Sequence, residues 1–299
     1  MRLIFVGTSG FAVPSLRGLV GAGHDVAMVV TQPDRLGNRG RLTPPAVKVA
    51  ALELGLPILQ PERIRAPEAV EALAQAGAEL IALAAYGQII PRSVLELTPR
   101  GVVNVHGSVL PRWRGAAPVA HAILAGDETT GVTIMQMDAQ LDHGPILATA
   151  STAIGPRETA AELTDRLAVI GSDLLVETVA RLDEIEPREQ DHGAATLAPK
   201  LSREDGELDW GLSAEDIDRR VRAFHPWPGV TLPLEGRRVK VLSGRALDGE
   251  GEPGVVLHAG RDGVEVACEK GSFLLEEVQV PGGRPGPARS LVGHHAQQR

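Results

Sequence analysis

The sequence predicts an α/β domain built on an open, Rossmann-like, mainly parallel sheet, followed by a small C-terminal β-barrel (OB-like) domain. Three observations carry this expectation. Apolar or β-branched runs alternate with helical stretches through the first half, and strand alternating with helix implies right-handed crossovers onto a parallel sheet. Later the texture changes to short strands between Gly-rich turns, the pattern of a small barrel. Finally, 299 residues exceed the ~150 that one domain usually comprises, so two domains are expected.

The first-half strands are RLIFVG (2–7), DVAMVVT (25–31), AELIALAAYG (78–87), GVVNVH (101–106) and GVTIMQM (131–137). Each is short, apolar and bounded by turn residues, as buried strands are. Helices are predicted over 12–22, 45–54, 67–76 and 116–125. Ligands of such a domain lie beyond the carboxyl ends of the strands, which directs attention to the loops after Val6, Thr31, Ala85, His106 and Met137. From Thr159 to Leu182, the apolar residues Leu163, Leu167, Ile170 and Leu174 recur at steps of three and four, the stripe of a long amphipathic helix.

The polar stretch 183–200 has no period and two prolines, and reads as a linker. A short helix (213–224) precedes the strands RRVKVLSG, PGVVLHAG, GVEVACEKG and SFLLEEVQV. The expected organisation is therefore a catalytic domain over 1–183, a linker over 184–206 and a β-barrel domain over 207–299. No internal repeat is evident.

Composition narrows the function classes. Hydrophobic residues at 43% and charged residues at 23% describe a globular chain. A formal charge of -8 excludes a surface that is basic all over, so contact with nucleic acid requires a local patch. Cys268 stands alone, which excludes an internal disulfide and a cysteine-built zinc site and fits a reducing cytoplasm. MRLIFVG reads as a first strand rather than a secretory signal, because Thr8, Ser9, Gly10 and Pro14 interrupt the apolar run. The apolar segment 80–90 falls short of the ~20 residues that cross a bilayer, so no membrane anchor is expected.

Two phosphate-binding patterns fail on inspection. After the first strand, counting from Gly7, Ser9 and Ala12 occupy the later glycine positions of a dinucleotide fingerprint. GDETTGVT has P-loop glycine spacing but Val132 where lysine belongs. The nine histidines form no HExxH-type pair, and no metal is expected.

His106 differs from the other histidines. It lies at the carboxyl end of a predicted strand, and Asn104, two residues earlier, shares its face. Such a pair either ties down a loop or forms a site, since both groups need partners when buried. Just beyond, Ser108, Val109, Leu110 and Pro111 form a proline-fixed segment whose backbone groups suit a flat heterocycle. In QLDHGPIL, Asp142 precedes a Gly-Pro turn that would return its carboxylate to His106. Together these residues are a minimal set for attack on a carbonyl. The histidine manages protons, the carboxylate fixes its tautomer and supports the imidazolium, and the amide stabilises the oxyanion. No Ser or Cys nucleophile is evident, so direct transfer to an amine is expected.

The runs NVHGSVLPRWRGAAPV and GVTIMQMDAQLDHGPIL resemble the signature of folate-dependent formyltransferases. Further similar blocks are VGTSGFAVPSL, TQPDRLGNRGRLTPPAVK, AAYGQIIP and RAFHPWPG, together with the small β domain. The resemblance implies a cytoplasmic, monomeric enzyme that moves the formyl group of 10-formyltetrahydrofolate, without a metal, to the α-amino group of methionine on initiator tRNA. It implies Asn104, His106 and Asp142 as catalytic residues and Ser108, Val109, Leu110 and Pro111 as the folate segment. The family usually has Leu where this chain has Val109, which implies altered packing rather than lost activity.

By the same likeness the loop 34–48 meets the tRNA acceptor end, and Phe11 lines a methionine pocket. The loop carries Arg35, Arg39, Arg41 and Lys48 against Asp34, net +3, in an acidic chain. That charge suits phosphate contact, or else belongs to a solvated loop. A glycinamide ribonucleotide formyltransferase would share the catalytic residues but lack this loop and the second domain. A nicotinamide dehydrogenase would require the incomplete first turn to hold a pyrophosphate. A non-catalytic tRNA-binding module would leave Asn104, His106 and Asp142 silent.

Overall fold

The structure, a computed structural model, describes residues 1–36 and 42–292. The first half runs β1 (Arg2–Gly7), α1 (Val13–Gly21), β2 (Asp25–Val30), β3 (Arg35–Leu36), β4 (Leu42–Thr43), α2 (Ala46–Glu53), β5 (Ile58–Leu59), α3 (Pro67–Gln75) and β6 (Leu80–Ala84). It continues through α4 (Arg92–Leu95), β7 (Val102–His106), β8 (Arg114–Gly115), α5 (Pro118–Leu124), β9 (Thr129–Gln136), β10 (Ile146–Ala153) and α6 (Ala160–Ala180). Then come β11 (Leu197–Ala198), α7 (Ala214–Ala223), β12 (Val230–Leu234), β13 (Arg237–Leu247), β14 (Val256–Ala259), β15 (Val264–Ala267), β16 (Ser272–Gln279) and β17 (Gly286–Pro287).

The chain divides into two compact units. The first comprises Met1–Pro118, Thr129–Ala153 and Thr164–Ala198, and the second Val119–Glu128, Ile154–Leu163 and Pro199–Arg299. In the first, seven strands lie in the order β10-β9-β7-β6-β1-β2-β5. β1, β2, β5, β6 and β7 are parallel. Leu3, Ile4, Phe5 and Val6 are fully buried, as expected for a strand covered on both faces. The strand order reverses at β1 and β6, and β7 lies next to β6.

β9 departs from the parallel pattern and runs antiparallel to β7, with His106 opposite Thr133 and Asn104 opposite Met135. β9 ends beside the start of β7, where the Met137 N–H donates to the Val102 carbonyl (2.8 Å). The loop after Met137 is therefore not at the carboxyl end of the parallel strands.

α6 covers the face of β7 and β9 opposite the site. A Cβ at Gly171 would meet Val105 Cγ1 at 2.8 Å and Val132 Cγ1 at 3.2 Å. That close approach fixes the strand residue adjoining His106, and only glycine permits it. The buried stripe follows Leu163, Leu167, Ala168, Leu175 and Val179, while Ile170 and Leu174 are half-buried. The stripe is thus rotated from the one that large apolar residues mark, because small residues make the closest contact.

The segment expected to be a linker, 184–206, is paired over its first part. Arg188 and Ile146 exchange both backbone hydrogen bonds (2.7 and 2.8 Å), β11 pairs in parallel with β8, and Gln190 is buried. Backbone pairing needs no side-chain period, so a polar, aperiodic sequence gives no sign of it.

In the second unit, an antiparallel sheet runs β12-β13-β16-β15-β14, with β17 beside β16. β12 alternates buried Val230, Leu232 and Leu234 with half-buried residues. Glu235 and Gly236, both at positive φ, close the two-residue turn into β13. Ser213 caps α7 by accepting from the Asp216 N–H, and Arg220 and Arg222 lie in its last turn, complementing the helix dipole. Burial pushes the Cys268 thiol up to about 11, so it is not a reactive thiolate.

Candidate active site

β7 delivers Asn104 and His106, and each is only 6% exposed. Their shared face is opposite Val105, whose side lies under α6. His106 Nε2 lies 2.9 Å from the Trp113 carbonyl oxygen. A carbonyl only accepts, so Nε2 carries the hydrogen, and Nδ1 holds the lone pair in the neutral ring. Nδ1 faces Asp142 Oδ2 at 3.6 Å, too long for a hydrogen bond but close enough for ion pairing. The Trp113 carbonyl, rather than the carboxylate, therefore sets the tautomer. Asp142 is placed to support the ring once Nδ1 is protonated.

The loop after β9 folds back to bring Asp142 there. Its Oδ2 accepts from the Gly115 N–H at 2.8 Å, and its own φ is 45°. Trp113 also adopts positive φ, 63°. Each costs a non-glycine residue on the order of 1–2 kcal/mol, held by the surrounding hydrogen bonds. Gly115 (φ 123°) leaves no room for a side chain, since a Cβ would lie 2.6 Å from the Ala198 carbonyl. The Asn104 amide has no partner among the described residues. A buried amide with free donors on one face of a histidine suits stabilisation of an oxyanion.

Much of the segment from Ser108 to Pro111 is engaged internally. The Thr133 hydroxyl donates to the Ser108 carbonyl (2.7 Å) and accepts from the Leu110 N–H (3.0 Å). The Ser108 hydroxyl donates to the Arg112 carbonyl (2.6 Å), and the Arg112 N–H donates to the Val109 carbonyl (3.1 Å). The Leu110 side chain packs with Met135 and Ile146 in the core. Val109 sits over Gly131, where a Cβ would come within 2.9 Å of its methyl. Among the described residues, the Val109 N–H and Leu110 carbonyl remain unpaired. The segment is thus a clamped turn offering a few backbone groups rather than many.

The other expected residues belong to the segments that follow β1 and β2. Arg35 is exposed in the β3–β4 hairpin and donates to Gln32 (2.8 Å). Lys48, on α2, contacts Asp34 at 2.7 Å. Hydrogen bonds from Gln60 and then Lys48 hold the Asp34 carboxyl below its ordinary value. Arg39 and Arg41 lie outside the described residues. Phe11 is half-buried in a 3-10 turn after β1. That first turn is tied down by the Thr8 hydroxyl, which donates to the Tyr86 carbonyl (2.8 Å). Among the described residues no cluster of three or more His, Cys, Asp or Glu could hold a metal, and no helix is long and apolar enough to cross a membrane.

Sequence reasoning missed the residues that support the site. Thr133 is one of three threonines in β9, and its importance follows only from lying in register with His106. Thr196 receives the Trp113 N–H on its hydroxyl (2.9 Å) and the Arg114 N–H on its carbonyl (2.8 Å). Gln190 joins Asp142 to Arg114. Nothing in the local sequence of 184–198 marks either residue.

Residues 1–179 match the family model described as Formyl transferase, and residues 200–295 match that of Formyl transferase, C-terminal domain. The chain is 45% identical to the methionyl-tRNA formyltransferase of Geotalea daltonii, covering 98% of this chain and 95% of that protein. It is 47% identical to the one of Chromobacterium violaceum, covering 98% and 96%. In fold it is similar to the crystal structure of an N-formyltransferase from Helicobacter canadensis in complex with folinic acid and dTDP-3-aminofucose. That likeness has a TM-score of 0.68 at 15% identity and spans 92% of this chain and 98% of the other.

Proposed function

The chain belongs to the formyl transferase family, and from that membership we propose that it transfers a formyl group from 10-formyltetrahydrofolate to the α-amino group of methionine on initiator tRNA. The observation that carries this reading is identity of 45–47% over nearly the full length of methionyl-tRNA formyltransferases. The likeness spans both domains, not only the catalytic half. The reaction needs no metal, and the compartment is the cytoplasm, where the chain acts as a monomer.

The cosubstrate supplies an activated formyl carbonyl. Asn104 donates to the oxygen that gains charge as the amine adds. His106 takes the amine proton at Nδ1 and holds it for the leaving nitrogen, while its Nε2–H stays on Trp113. Asp142 supports the resulting imidazolium from 3.6 Å. The unpaired Val109 N–H and Leu110 carbonyl suit the edge of a flat heterocycle.

The test is an acceptor comparison. With formyl donor present, methionyl initiator tRNA is expected to be formylated and glycinamide ribonucleotide is not; the reverse outcome would move the chain to the sibling activity.

Arg35, Arg39 and Arg41 are assigned to tRNA phosphates, with further contact from the domain over 207–299. Lys48 contributes less directly, because its ammonium is paired with Asp34. Neutralising Arg39 and Arg41 together is expected to flatten the log-log salt dependence of tRNA binding by ~1 unit for each phosphate that the loop no longer neutralises. An unchanged slope would make the loop a solvated one.

A further inference from the structure

Gln190 lies in the polar stretch that resembles slack chain, yet it is only 5% exposed. Its amide nitrogen donates to the Asp142 carbonyl (2.9 Å) and the Gly144 carbonyl (2.7 Å). Its amide oxygen accepts from Arg114 through one terminal nitrogen (2.6 Å) and Nε (3.2 Å). Two donors and two acceptor positions are the whole capacity of an amide, so every one is engaged inside the protein. Arg114 is itself anchored. Its guanidinium reaches His192 Nδ1 (2.9 Å), and its backbone N–H reaches the Thr196 carbonyl (2.8 Å).

These bonds close a ring around Asp142. The next residue after Arg114, Gly115, holds the Asp142 carboxylate through its N–H, while Arg114 holds the Asp142 carbonyl through Gln190. Asp142 is thus gripped at side chain and backbone from the same dipeptide. Its left-handed backbone, φ 45°, is the conformation such a double grip is needed to keep. Without the backbone grip, the loop is free to relax, and the carboxylate then leaves its position facing His106 Nδ1.

We propose that Gln190 is a positioning residue, holding the Asp142 carboxylate against His106 through the Asp142 and Gly144 carbonyls. This rests on Asp142 acting as the carboxylate that supports the His106 imidazolium. Gln190 touches no substrate, so its loss affects the chemical step and not the affinity for either substrate.

The test uses the full-length enzyme with 10-formyltetrahydrofolate and methionyl initiator tRNA. Gln190→Met keeps the side chain's length but removes all four bonds. Its kcat is expected to fall ~10- to 10²-fold with both KM values within about twofold of wild type. Combined with Asp142→Asn, it is expected to add less than about a threefold further loss, because residues acting as a unit are not additive. Losses that multiply, or a normal kcat in Gln190→Met while Asp142→Asn is impaired, would overturn the proposal and leave the reading of Asp142 standing. A normal kcat in Asp142→Asn would instead remove Asp142 from the mechanism, and the proposal with it. Should Gln190→Met not fold, Gln190→Glu carries the same test, since it keeps the size and the Arg114 acceptors but loses both donors.

Discussion

His106→Ala is expected to lower kcat by ~10²- to 10⁴-fold, the range of positioned acid-base catalysis, with KM for the folate donor nearly unchanged. The ring is buried on β7, its Nε2 is committed to the Trp113 carbonyl, and only Nδ1 is left to take a proton. Among the described residues, no other histidine is placed to substitute within this arrangement. His143 stacks on His192 at 3.9 Å and bonds Asp138 at 2.6 Å, while His192 accepts from Arg114. Steady-state kinetics with methionyl initiator tRNA would check this. A His106→Ala enzyme with near-normal kcat would take proton transfer away from this residue altogether.

Asp142→Asn is expected to lower kcat by roughly 10²- to 10³-fold. A unit ion pair about 4 Å apart is worth about 4 kcal/mol at an effective dielectric near 20, before desolvation costs. At 1.36 kcal/mol per decade this places the ceiling at about 10³. The asparagine oxygen can still accept from the Gly115 N–H, so the substitution removes charge while sparing the loop. Asp142→Ala removes both and is expected to be at least as damaging. If Asp142→Asn turns over within about threefold of wild type, charge support of the imidazolium is not the role of this carboxylate.

The fold was legible because burial on both faces leaves a direct trace in composition. Runs such as RLIFVG and GVVNVH have few alternatives to buried strands, and helices between them impose parallel pairing. The antiparallel β9 left no such trace. Its composition resembles that of its parallel neighbours, and its direction shows only in its pairing with β7. Likewise, Leu163 and Leu167 marked α6 correctly, but its closest contact is made by Gly171, which no hydrophobic period reveals.

The same division runs through the site. Asn104 and His106 share a face by the two-residue period of a strand, a local property available from sequence. That Asp142 lies beside His106 was suggested by a Gly-Pro turn, but the distance of 3.6 Å depends on a loop folding back from the far end of the sheet. The clamp on Ser108 and Leu110 by Thr133 involves partners 25 and 23 residues apart, and the anchoring of Arg114 by Gln190 partners 76 apart. By itself the sequence determined the α/β and β halves and the polar pair at the end of β7, because local geometry and burial govern them. Only the tertiary structure decided which tautomer His106 holds, which backbone groups of Ser108 to Pro111 stay free, and that a polar stretch near 190 supports the site. Each of these is set by a hydrogen bond across the fold, and such a bond constrains one atom while leaving the surrounding sequence almost unrestricted.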